Sequence, residues 1–171
     1  MKSIFDDVSN DCSKIVTKTY STSFSLATKM LSKKIRQHIY NIYGFVRFAD
    51  EIVDSFHDYN KEILFKDFSL DLEKSLKNKI HLNPILNSFQ ATYHKFNIDK
   101  GLVDSFMSSM EKDLHKKKYM SNQEYEDYIY GSADVVGLMC LKVFVNGDKE
   151  KYEELKSFAM RLGSAFQKVN F

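Results

Sequence analysis

Apolar residues recur at steps of three and four along nearly the whole chain, the spacing of helices that each bury one face. The longest run follows Ser32: Ile35, Ile39, Ile42, Val46, Ala49, Val53 and Phe56 alternate steps of four and three. That is a sustained seam for packing on other helices. The pattern predicts a first helix from Ile4 to Lys18 and a hydroxyl-rich break at Thr19-Tyr20-Ser21-Thr22-Ser23. A short helical segment, Phe24 to Leu31, follows, and then a long helix capped by Ser32 and running to about Phe56.

Asn60 caps a helix that carries Phe65, Phe68, Leu72 and Leu76 on one face. Asn83-Pro84 is an N-cap with proline at the first helical position, ahead of Leu86, Phe89, Tyr93 and Phe96. Asp99 opens a helix with Leu102, Phe106 and Met110. Ser121 and Glu124 form a capping box before a helix that reaches about Val145. Asp148 caps the last helix, whose stripe is Tyr152, Leu155, Ala159, Leu162, Phe166 and Val169. It reaches Phe171 with no Gly, Pro or polar tail, and so reads as cut from a longer protein.

Composition narrows the picture to one all-α domain spanning residues 1–171. Six Gly and one Pro in 171 residues are too few for the turns of a sandwich or barrel. Fourteen Phe and ten Tyr, with no Trp, suit a core or a long apolar cavity. The net charge of +2 leaves no electrostatic footprint for nucleic acid, and His115-Lys116-Lys117-Lys118 reads as a solvated helix end. Cys12 and Cys140 stand apart, as buried or inert thiols of a reducing compartment. The first residues carry acids and no apolar signal core, and no run of 18 apolar residues occurs, so the expected location is cytoplasmic, with no transmembrane segment.

Three segments carry candidate chemistry. In Arg47-Phe48-Ala49-Asp50-Glu51-Ile52-Val53-Asp54, Asp50 and Asp54 lie one turn apart on one helical face at the edge of the apolar seam, with Arg47 on the same side. Like charges at this spacing cost a helix about 0.2–0.5 kcal/mol. A divalent cation reverses that cost, because two carboxylates can hold Mg²⁺ through one oxygen each and leave positions for phosphates. Arg47 can take a phosphate bidentately. The plain alternative is a solvated acidic turn with an Arg–Asp pair.

The second segment, Tyr128 to Gly137, places Gly131 and Gly137 inside a helical pattern, each at a cost of about 1 kcal/mol relative to Ala. Small residues there admit a ligand or a neighbouring backbone; tight helix packing is the alternative. In the third, Gln167 and Asn170 lie three apart beside an apolar stripe, placed to hydrogen-bond a ligand, another helix or water.

In this order and at these separations the three segments resemble the squalene and phytoene synthase family, all-α enzymes that join two prenyl diphosphates head to head. Ser21-Thr22-Ser23-Phe24 begins the resemblance, and Ile39 to Arg47 followed by Asp50 and Asp54 is similar to the family's first aspartate-rich helix. Tyr128 to Gly137 is similar to its tyrosine and small-residue helix, and Leu162 to Asn170 to the opening of its second signature. The resemblance implies an isoprenoid-synthase helical bundle. It implies that Asp50 and Asp54 bind Mg²⁺ (with Mn²⁺ as a substitute) and one diphosphate, while Ser21, Ser23 and Arg47 hold phosphate oxygens. It further implies that Phe24, Tyr43, Val136, Gly137, Cys140 and Phe144 line a prenyl channel, that Tyr128 stands near the reacting carbons, and that Gln167 and Asn170 face Asp50.

Ile129 and Asp134 stand where the family usually has small residues, and the family's second aspartate-rich motif would begin only past Phe171. The wording around Tyr130 to Met139 favours phytoene synthases, hence geranylgeranyl diphosphate, a cyclopropyl diphosphate intermediate and carotenoid biosynthesis. A squalene or dehydrosqualene synthase using farnesyl diphosphate is the alternative. The apolar product implies peripheral membrane contact. Outside this chemistry stand a non-catalytic family member acting in assembly or binding, and a helical interaction domain. Retention of Arg47, Asp50, Asp54 and Tyr128 favours the enzyme, since a scaffold has no use for carboxylates that repel each other.

Overall fold

The computed structural model describes residues 1–115 and 122–170, the side chains at 122, 125 and 168–170 excepted. The described residues form nine α-helices: α1 Lys2–Tyr20, α2 Thr22–Lys29, α3 Lys33–Asp54, α4 Lys61–Asn78, α5 Pro84–Lys95, α6 Lys100–His115, α7 Asn122–Ile129, α8 Val135–Val145 and α9 Lys149–Asn170. The all-α expectation holds for every one of these residues. Caps fall where the sequence puts them. Ser21 accepts Phe24 N–H at 3.3 Å, Asn60 accepts Ile63 N–H at 3.1 Å, Asn83 accepts Ile85 N–H at 3.0 Å, and Asp148 accepts Lys151 N–H at 3.0 Å. Ser32 precedes α3 without a side-chain cap bond. The Ser121 capping box, Lys116 to Lys118 and the Val169 side chain lie outside the described residues.

The predicted aromatic stripes meet in one core. Phe45 of α3 stacks on Phe89 of α5 with ring centroids 4.0 Å apart. It meets Phe106 of α6 edge-on at 5.4 Å and lies 6.2 Å from Phe68 of α4. Phe45, Phe89 and Phe106 are fully buried. Such pairs contribute about 0.5–1.5 kcal/mol beyond their area, so one stack fixes three helices around α3. On the other side, α1 lies across α3 and α5 through buried Ser9, Ser13 and Thr17 in place of large apolar residues.

Two differences from the sequence reading bear on function. The helix expected to reach Val145 is interrupted by a π-helical turn, Tyr130–Asp134. This is where Gly131 meets α6 so closely that a Cβ would fall 1.9 Å from Ser109 Oγ, and a single widened turn re-aims the side chains on either side. The stretch Glu126–Val145 is also apolar enough by length and mean hydropathy of 1.5 to cross a membrane, which the search for an uninterrupted apolar run did not register; half of it is buried within the fold.

The second difference concerns α9. Tyr152 is buried and Ala159 partly so, but Leu155, Leu162 and Phe166 face outward, and Phe158 joins them. The inward line is set by the close approach of two backbones. A Cβ at Gly163 would meet Ala133 O at 2.6 Å, and one at Gly137 would meet Ala159 O at 2.6 Å. Small residues, not the large apolar ones, choose which side of α9 faces α8.

Candidate functional site

Arg47, Asp50 and Asp54 occupy the last two turns of α3. The seam of Ile39, Ile42, Ala49 and Val53 is buried and holds the helix rigidly. Asp50 sits at the edge of that seam, as the spacing predicts. Burial first, and then the Asp54 carboxylate, push Asp50 up to about 7, with Asp113 and Glu51 adding to the rise and Arg47 opposing it. A carboxylate in this position is stabilised by a cation.

Arg47 is held from two sides. Its Nη2 forms an ion pair with Glu51 Oε2, and its Cζ lies 4.6 Å from the centroid of the Tyr20 ring. Arg47 Nε is the one buried side-chain nitrogen or oxygen without a hydrogen-bond partner among the described residues. A few residues away, Phe24 of α2 stacks on Tyr43 of α3 at 4.8 Å. Burial pushes the Tyr43 phenol up, and Ser21 and Arg47 beside it pull it partly back. So Ser21, Phe24, Tyr43, Arg47, Asp50 and Asp54 share one wall, built from α3 and the junction of α1 with α2. Ser23 is exposed beside it.

The second wall comes from α6, α7 and α9. Gln167 Nε2 donates to Tyr128 Oη at 3.3 Å. Burial, then Asp113, push the Tyr128 phenol up to about 12, and Asp50 adds to the rise, so Tyr128 lies within electrostatic reach of the α3 wall. Val136 and Cys140 pack against the core from α8, where burial pushes the Cys140 thiol up to about 12. Phe144 is 47% exposed at the end of α8, and Gly137 faces the α9 backbone, the packing role weighed for it above. The Asn170 side chain lies outside the described residues. Asp134 is buried in the π turn and accepts Ser164 Oγ–H from α9 at 2.6 Å, tying those two segments together.

Asp113 is the residue that the sequence reading missed. It follows Phe106 and Met110 at steps of four and three, in line with the buried stripe of α6. A carboxylate in register with an apolar stripe was the available signal. A groove of about 600 Å³ between α4 and α6, lined by Glu62, Glu73, Asp104 and Glu111 over Phe65 and Met107, contains none of the predicted site residues.

The donor set suits a hard divalent cation. Asp50 and Asp54 supply oxygen only, and Asp50 is held up chiefly by burial and then by the Asp54 charge, so a cation beside the pair would favour its ionised form. Among the described residues no three acids, histidines or cysteines converge closely enough to enclose a metal alone, so the remaining ligands would have to be phosphate or water.

Comparison with known proteins gives the family and the fold. The chain is 26% identical over 163 residues to a 4,4'-diapophytoene synthase of Staphylococcus haemolyticus, covering 91% of this chain and 54% of that protein. It is 27% identical over 173 residues to the chloroplastic phytoene synthase 2 of Zea mays, covering 98% and 42%. A solved dehydrosqualene synthase superposes with a TM-score of 0.83 at 24% identity, over 96% of this chain and 56% of the other. A squalene synthase from Alicyclobacillus acidocaldarius gives 0.82 at 20%, over 98% and 61%; these two likenesses establish the fold. The chain thus spans about half the length of the relatives it matches. Residues 17–171 match the squalene/phytoene synthase family, and the chain belongs to it.

Proposed function

We propose that the chain forms the N-terminal wall of a synthase that joins two prenyl diphosphates head to head, with geranylgeranyl diphosphate as substrate and phytoene as product. The observation that carries this reading is the placement of Asp50 at the edge of the buried seam near the end of a rigid helix, with Asp54 one turn on and Arg47 one turn back. Asp50 and Asp54 would hold Mg²⁺ or Mn²⁺, which neutralises a diphosphate and makes it a competent leaving group. Ser21, Ser23 and Arg47 bind phosphate oxygens. Phe24 and Tyr43, with Val136, Cys140 and Phe144, offer apolar and aromatic surface that keeps water from a prenyl cation. Tyr128, anchored by Gln167, keeps its proton at neutral pH and presents an oxygen dipole to developing positive charge. The family resemblance adds Asn170 to these residues.

Farnesyl diphosphate is the second reading, supported by the likeness to a diapophytoene synthase and a dehydrosqualene synthase. The family's second acidic motif would supply a second metal wall in either reading. The product's apolarity implies contact with a membrane surface from a cytoplasmic location.

Calorimetry with the non-reacting thiodiphosphates of the two prenyl chains, with and without Mg²⁺, tests the reading. Wild type is expected to bind only with Mg²⁺, and to prefer the geranylgeranyl chain. Asp50→Asn with Asp54→Asn should abolish binding and leave helicity intact. Metal-independent binding, or unfolding of the double variant, would falsify it.

A further inference from the structure

Arginine is scarce in this chain. Arg36, Arg47 and Arg161 are the only three, and Arg47 alone lies in the candidate site. An arginine side chain that wanders must be ordered when an anion arrives, and that ordering weakens binding; one that is already held binds without the loss. Arg47 is held. Glu51, one turn on in α3, pairs with Nη2, and the ion pair is largely withdrawn from solvent, with side-chain exposures of 25% for Arg47 and 17% for Glu51. From the other side the Tyr20 ring lies against the guanidinium plane, with Cζ 4.6 Å from its centroid.

Tyr20 is the last residue of α1, and the next residue, Ser21, is the N-cap of α2. One helix junction therefore carries both the stacking platform and a proposed phosphate ligand. Nε, buried and without an acceptor, leaves the guanidinium with an unmet donor, and a phosphate oxygen is the acceptor that its geometry favours. Between Asp11 and Asp50 the sequence has seven lysines and arginines and no acid.

We infer that Glu51 and Tyr20 are the positioning residues of Arg47, clamping its guanidinium by an ion pair and a stacked ring so that its unmet N–H donor is kept for a phosphate oxygen. The inference rests on the diphosphate reading above.

The test uses ¹⁵N-labelled chain, in which three arginines give three Nε–H signals, together with calorimetry using inorganic diphosphate and Mg²⁺. Arg47 should show a slowly exchanging Nε–H and restricted Nη groups in the ligand-free protein. Glu51→Gln, which keeps the shape, and Tyr20→Leu should each average those signals. Tyr20→Phe, which keeps the ring, should retain them. Glu51→Gln should also weaken diphosphate binding by about tenfold.

The direction of that change is decisive. If Glu51 only competed with the ligand for Arg47, removing its negative charge would tighten binding. Tighter or equal binding in Glu51→Gln, or Arg47 signals unaffected by Glu51→Gln and Tyr20→Leu, overturns the inference. Should wild type bind no diphosphate at all, the phosphate reading fails, while the guanidinium signals still decide whether the clamp exists.

Discussion

Two regions of this fold bury polar groups, and they treat them in opposite ways. Between α1, α3 and α5 runs a seam in which each amide is met. Asn41 Nδ2 donates to Asn10 Oδ1 at 2.9 Å and to Thr92 Oγ1 at 3.0 Å, and its Oδ1 accepts from Gln37 at 2.9 Å. Asn87 Nδ2 donates to Asp6 Oδ1 at 3.0 Å and Ser9 Oγ at 3.1 Å, and its Oδ1 accepts His81 N–H at 3.3 Å. At the wall formed by the end of α3, the charges of Asp54 and Asp113 both act against ionised Asp50, and Arg47 Nε is unmet. A satisfied buried network specifies the arrangement of helices, whereas an unsatisfied one is a cost that persists for a ligand. The difference separates scaffold from site without reference to any relative.

The largest expected effect comes from breaking the seam. Asn41→Leu removes three hydrogen bonds at once; Gln37 keeps its bond to Asn10 O and Thr92 its bond to His38, but Asn10 Oδ1 loses its donor, which should destabilise the chain by about 3 kcal/mol. Urea unfolding measures it. A neutral or stabilising result would mean that the seam is no better satisfied than the wall.

Asp50→Asn should act with the opposite sign. The folded carboxyl titrates at about 7 against an ordinary 3.8. The folded state therefore binds this proton more tightly than the unfolded state, and stability is lost as pH rises from about 4 through 7. At pH 8 the substitution should stabilise by about 2 kcal/mol, a value discounted for the partial exposure of Asp50. At pH 4 the gain should vanish. Equal effects at both values would show that the carboxyl is not strained.

The seam has its own titrating group, with the reverse slope. Lys95 Nζ donates to His38 Nε2 at 3.0 Å, which leaves the proton on Nδ1, facing Thr92 Oγ1 at 3.0 Å. Burial and the Lys95 charge hold His38 down at about 4. The unfolded chain binds this proton more tightly, so stability is complete above the ordinary 6.5 and is lost as pH falls toward 4. Acid thus relieves the wall and strains the seam, and the two effects offset each other between 4 and 6.5 in wild type. In an Asp50→Asn background the seam's acid loss should stand alone, at about 1 kcal/mol, and His38→Gln should remove it. Melting temperature against pH in the single and double variants separates the two.

How legible these regions are from sequence follows from the distance over which their partners act. Asp50, Asp54 and Arg47 lie within eight residues of one another on one helix, so spacing alone places them together. The same is true of the aromatic stripes and of the caps at Ser21, Asn60 and Asn83. Asp113 reaches the wall only because α6 packs on α3. Nothing along the sequence marks Ser9, Ser13 and Thr17 for burial, since Asn87 and Ser88, which meet the first two, are 78 and 75 residues away. The outward face of α9 escaped notice for a related reason. Hydrophobic size favours Leu155, Leu162 and Phe166 inside, but backbone contact at Gly137 and Gly163 sets the helix rotation, and only tertiary structure shows which glycine meets which carbonyl.

The smallest effect is the most exact test of the wall. Asp54 is exposed, so water screens its charge, and its repulsion of Asp50 across one helical turn is worth about 0.2–0.5 kcal/mol. Asp54→Asn should stabilise by that much at pH 8, less than the error of many unfolding measurements. Its signature is therefore best sought in Asp50. With Asp54 neutral, the ionised form of Asp50 loses its largest repulsive neighbour, and the pH at which stability falls should move toward acid. In an Asp50→Asn background the same substitution should do nothing, since no second charge remains to repel. A double-mutant cycle at pH 8 should thus give a coupling of the size of the single effect, vanishing at pH 4 where Asp50 holds its proton. Coupling that persists at pH 4 would assign the Asp50–Asp54 interaction to shape or hydrogen bonding, and the wall would then differ from the seam in arrangement but not in charge.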